Sequence, residues 1–145
     1  MSSGVREVAE RLLAAAVSGR PEDMADCYGA DVVIEMPFSA GLYPSRIETT
    51  REELRGRYAA GAATRRYDRL SDARVHETTD PEVVIAEYTL HGRMVADDSP
   101  FSMSFAMVMT IKDGQIVHSR DYSDPIAGAR LLGRVPELVA ALSQE

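Results

Sequence analysis

At 145 residues the chain suits one domain spanning 1–145, long enough to bury about two-thirds of its unfolded surface. With 45% hydrophobic and 27% charged residues the balance is globular, and a formal net charge of −7 argues against a nucleic-acid surface, which needs a basic patch. The one cysteine, Cys27, excludes an internal disulfide and fits the cytoplasm, and no apolar run approaches the length of a membrane span.

Val5, Val8, Ala9, Leu12, Leu13, Ala15 and Ala16 recur at helical spacing and predict an amphipathic helix ending at Ser18-Gly19. Arg6, Glu7, Glu10 and Arg11 are spread through it, unlike the charge order of a signal peptide. Pro21 followed by Glu22 and Asp23 opens a short second helix to about Tyr28, where Gly29 stops it. DVVIEMPF predicts a strand closed by Pro37, and residues 39–48 read as a loop. Thr50 with Glu53 forms a capping box that opens a third helix through about Ala60. The arginines from Arg51 to Arg69, Arg57 and Arg65 among them, alternate with Glu52, Glu53 and Asp68 and read as a solvated helix face.

From Arg65 the period changes to that of strands. RRYDRLSDARVHET, EVVIAEYTLHGRMVA, FSMSFAMVMTIK and QIVHSRDYSD are joined by short turns, which predicts an antiparallel meander. Asp124 and Pro125 then cap a final helical segment interrupted near Gly133 and Pro136. In FSMSFAMVMTI one face carries Phe101, Met103, Phe105, Met107, Met109 and Ile111, while the other is small and mixed. Three methionines in line suit an adaptable apolar cavity. The three histidines lie on different strands without metal-ligand spacing, and neither a phosphate-binding glycine loop nor a nucleophile elbow occurs.

The element order, the DVVIEMP strand and DGQIVHSRDYSDP near the end resemble the SnoaL-like polyketide cyclase family of the nuclear transport factor 2-like, ketosteroid isomerase-like superfamily. The resemblance covers the whole chain as a single SnoaL-like domain. It implies an α+β cone, a barrel-like form with helices packed in a strongly curved, mostly antiparallel sheet, often dimerising through the outer sheet face.

By position, the resemblance places Val117, Ser119, Asp121 and Ser123 on the pocket face of the last strand, with Met103, Phe105, Met107 and Met109 beside them. Ala86, Tyr88, Leu90, Met36 and Leu12 share that cavity, and Phe38, Tyr43, Leu54 and Tyr58 surround its mouth. By the resemblance, the three polar groups of a ketosteroid isomerase fall on Met36, Leu12 and Met107, which argues against that mechanism. A limonene-type epoxide hydrolase would need an arginine and a second aspartate near Tyr88 and Leu90, so only Asp121 matches.

The resemblance therefore implies a cyclase or isomerase that uses no cofactor and no metal. Asp121 and Tyr88 are its candidate catalytic pair, and a bulky hydrophobic polyketide-type intermediate is its substrate. Epoxide hydrolysis, or carriage of a hydrophobic metabolite without catalysis, is the alternative. Ring closure has two candidate routes, aldol-type proton transfer by Asp121 and a shape-driven pericyclic reaction. Partners expected are the small molecule and a second copy of the chain, with no nucleic acid and no membrane. Residues 96–102 are read as either a rigid turn or a flap over the mouth.

Overall fold

The computed structural model describes residues 3–144. Helix α1 (Ser3–Ala16) buries the predicted stripe of Val8, Ala9, Leu12, Leu13 and Ala16. Ser18 Oγ donates to the Ala15 carbonyl beyond its end, and Gly19 takes φ +88°, turning the chain. Pro21–Cys27 then winds as a 3-10 helix. It stops before Tyr28, which opens strand β1 (Tyr28–Glu35) instead of closing a helix.

Residues 46–48, predicted as loop, instead belong to strand β2 (Arg46–Thr50). This strand pairs antiparallel with β1, from Asp31 opposite Thr50 to Glu35 opposite Arg46. RIETT lies at the sheet edge with only Thr49 buried, so it has no apolar alternation for a period-two reading to find. Thr50 also caps helix α2 (Arg51–Ala62): Glu53 N–H donates to its Oγ1 and its own N–H donates to Glu53 Oε1, both at 3.2 Å. A reciprocal cap of this kind satisfies two otherwise orphaned donors.

Strands β3 (Arg65–Glu77), β4 (Val83–Met94), β5 (Pro100–Lys112) and β6 (Gln115–Ser123) form the expected antiparallel meander. The six-stranded order is β2-β1-β6-β5-β4-β3, and β1 runs parallel to β6, which makes the sheet mixed. Bulges interrupt β3 between Tyr67 and Arg69 and between Ser71 and Arg74, where Asp72 has φ +54°. Extra residues on one strand bend it and increase local twist, so these sites curve the open sheet around α1, which packs on β3 and β4. The result is an α+β cone.

A further irregularity at the start of β6 corrects one face assignment. Ile111 pairs with Ile116 and Thr110 with His118, leaving Val117 unpaired. Ile116 therefore turns into the core, fully buried, and Val117 leaves the inner face. From Ser119 onward the alternation resumes as expected.

Helix α3 (Pro125–Leu132) is capped by Asp124, whose Oδ1 accepts from the Ile126 and Ala127 amides. Gly133 at φ +67° separates it from α4 (Val135–Leu142). The turn after β4 is tied down: Met94 N–H donates to the Ser99 carbonyl, Ser99 Oγ to Asp97, and Arg93 to the Asp98 carbonyl. Of residues 96–102, Pro100, Phe101 and Ser102 already belong to β5, and none of the seven lines the cavity described next.

Candidate active site

At the open end of the cone, β1, β3, β4, β5 and β6 enclose a cavity of about 230 Å³ with α2 and the 3-10 helix. Its inner wall is largely set by strand alternation. Tyr88 and Leu90 project from β4, Phe105 and Met107 from β5, and Asp121 from β6 opposite Met107. Met36, Tyr43, Tyr58 and Ser123 complete the set of predicted residues that line it. Met103 lines a second cavity of about 230 Å³ beneath α3, which shares Tyr43, Arg65, Tyr67, Phe105 and Ser123 with the first.

Other predicted residues lie elsewhere. Leu12, Leu54, Ala86 and Met109 are buried in the packed core, because α1 and α2 fill the narrow end of the cone. Alternation identifies the inner face of a strand, but it does not tell a filled base from an open mouth. Ser119 is fully buried behind Asp121 and donates a hydrogen bond to Asp121 Oδ1. Phe38 is 57% exposed and meets Tyr122 edge-on at 5.3 Å, outside the cavity. Tyr28, Tyr67, Met24, Arg57 and Arg65 line the first cavity and were not foreseen there. Tyr28 escaped notice because placing it at a helix end removed it from any face pattern.

Burial among apolar and aromatic groups pushes the Asp121 carboxyl up to about 6; the Ser119 hydroxyl and the charge of His118 partly oppose this. Desolvation destabilises the ionised form, so the carboxyl titrates close to neutral pH. Three phenols lie within its electrostatic reach. Burial raises Tyr28 and Tyr88 well above the ordinary tyrosine value and Tyr58 to about 12, and the negative charge on Asp121 adds to each shift. All three therefore remain protonated donors.

Their hydrogen bonds leave capacity to spare. Tyr58 donates to the Tyr28 oxygen at 3.4 Å, so this bond does not use the Tyr28 proton. Tyr88, stacked on Phe105 at 5.3 Å, donates only to the Met107 sulfur at 3.1 Å, a weak acceptor that a carbonyl oxygen would displace. The histidines are engaged elsewhere: His118 with Glu35 at 3.1 Å, His76 with Glu87 at 2.7 Å and His91 with Ser71 at 2.7 Å. Among the described residues no three His, Cys, Asp or Glu side chains gather as metal ligands, and no helix is long and apolar enough to cross a membrane.

The model of the SnoaL-like domain family matches residues 9–119. An uncharacterised PhzA/B-like protein of Pseudomonas aeruginosa is 25% identical over 123 residues, 81% of this chain and 82% of that protein. A candidate isomerase of Bacillus subtilis superposes with a TM-score of 0.79 at 21% identity, over 91% of this chain and 94% of the other. A candidate polyketide cyclase of a Silicibacter species gives a TM-score of 0.73 at 18% identity, over 89% and 95%.

Proposed function

The chain belongs to the SnoaL-like domain family, and from that premise we propose that it is a cofactor-independent cyclase or isomerase acting on a bulky, apolar polyketide-type intermediate of natural-product biosynthesis. One observation carries the proposal: a carboxyl group with a pKa of about 6 sits in an apolar cavity among protonated phenols. A general base is most effective when its pKa lies near the working pH.

The reaction follows from these positions. Ionised Asp121 removes a proton from a carbon next to a substrate carbonyl, and the C–H electron pair becomes an enolate. Tyr88, releasing the Met107 sulfur, donates to the enolate oxygen, and Tyr28 is the second donor. The enolate carbon then attacks a second carbonyl, the new carbon–carbon bond closes the ring, and the resulting alkoxide recovers the proton from Asp121. Atoms and charge balance without an external reagent. Epoxide hydrolysis gains no support, because Tyr88 and Leu90 occupy the places where that chemistry needs an arginine and a second carboxylate.

β-Tetralone, a bicyclic ketone with acidic protons beside its carbonyl, probes the first step alone. In deuterium oxide the protein is expected to accelerate exchange of those protons, saturably in ketone. Binding without exchange above the buffer rate would remove the proton-transfer mechanism and leave shape-driven closure or simple carriage.

The outer sheet face, where Ile85, Ala106 and Val108 lie half-buried between polar neighbours, is assigned to a second copy of the chain. Sedimentation velocity is expected to give twice the 15.9 kDa chain mass. A monomer at all accessible concentrations would exclude that pairing.

A further inference from the structure

We infer that the substrate carries a carboxylate, held by Arg65 where the two cavities meet. The inference rests on the reading above that the first cavity holds the reacting molecule, and adds what lies at the other end of that molecule.

The sequence pattern assigned Arg65 to a solvated helix face. The structure keeps it, as the strand pattern also read it, at the first residue of β3, but half-buried and lining both cavities rather than solvated. Its guanidinium is fixed from one side. Nε donates to the Tyr67 hydroxyl at 3.0 Å and Nη1 to Thr64 Oγ1 at 3.2 Å. The group lies over Gly61, where a β-carbon would come within 3.5 Å of Nη2. Tyr67 is itself held, meeting Phe101 edge-on at 5.9 Å. Gly92, which has no side chain, lets the adjoining Arg66 carbonyl approach closely.

Among the described residues Nη2 has no hydrogen-bond partner, and Nη1, with one bond to Thr64, keeps a second hydrogen to donate. Two parallel N–H donors match the two oxygens of a carboxylate, the geometry in which arginine binds most strongly. Nearby cations are already neutralised: Arg66 and Arg93 by Asp68 and Asp98, and Arg55 by Asp26. Arg65 has no carboxylate within ion-pair distance among the described residues. It is not the counter-ion of the catalytic acid either, since Ser119 and His118 are the groups that hold the Asp121 carboxyl down. Arg57, exposed on α2 at the rim of the first cavity, is a second cation with no ion pair among the described residues. In a chain of net charge −7, two uncompensated cations at one apolar opening favour an anionic ligand there.

The probe pair is β-naphthylacetic acid and its neutral amide, titrated calorimetrically. The acid is expected to bind about tenfold more tightly than the amide, since a charge-assisted bidentate bond exceeds its neutral counterpart. In Arg65→Gln that preference should vanish, the acid losing more affinity than the amide, whose remaining binding also shows that the cavity is intact. Arg65→Lys, retaining charge without the fork, should fall between. Equal affinity of acid and amide for the unaltered protein overturns the inference alone, as does a preference that survives Arg65→Gln. Failure of both probes to bind overturns it together with the cavity reading on which it depends.

Discussion

Replacing Asp121 with Asn is expected to slow protein-catalysed exchange on β-tetralone, and turnover of the natural substrate, by more than about a hundredfold, the usual contribution of a positioned general base. The substitution keeps the size of the side chain and an acceptor for Ser119, so the cavity changes little while the proton acceptor is lost. The pH profile sharpens the test. As a base, Asp121 works only when ionised, so the unaltered protein should gain activity as pH rises through about 6 and then level off. The Asn variant should lack that rise. A variant within tenfold of the original, or one retaining the rise, would assign the chemistry to another group or to preorganisation alone.

The same substitution should stabilise the fold at mildly alkaline pH. An ordinary aspartate titrates at 3.8 and Asp121 at about 6, so the folded chain binds this proton more tightly than the unfolded chain does. The stabilising contribution of the protonated form is complete below the unfolded value and is lost as pH rises through the folded one. The difference corresponds to about 3 kcal/mol at pH values above both. Asn cannot ionise and escapes the loss. Denaturant melts should show the variant more stable by up to about 3 kcal/mol near pH 8, with the gap closing toward acid pH. An Asn variant less stable near pH 8 would mean that the carboxylate is solvated or paired in the folded state. Together the two results describe a residue kept for chemistry at the expense of stability.

The fold was legible where periodicity or local chemistry was strong. The apolar stripe of α1, the Thr50–Glu53 box and the long alternating strands each follow from forces acting over a few residues. The edge strand β2 and the Val117 bulge were not legible, because pairing partners distant in the chain impose both. In the site, Asp121, Tyr88, Phe105 and Met107 could be placed from strand alternation and family resemblance. Tyr28 and Arg65 could not: Tyr28, read as a helix end, dropped out of any face pattern, and Arg65, although read as the start of a strand, was grouped with the solvated arginines around it. Met109, Ala86 and Leu12 face inward as read, but at a depth that only the packing of α1 determines.

The plugged base has a kinetic corollary. With Leu12, Ala86 and Met109 filling the narrow end, no passage runs through the base, and molecules enter and depart on the side where the two cavities meet. On the proposed function, the reacting carbons must lead to reach Asp121, and a longer remainder is left to the second cavity or to solvent.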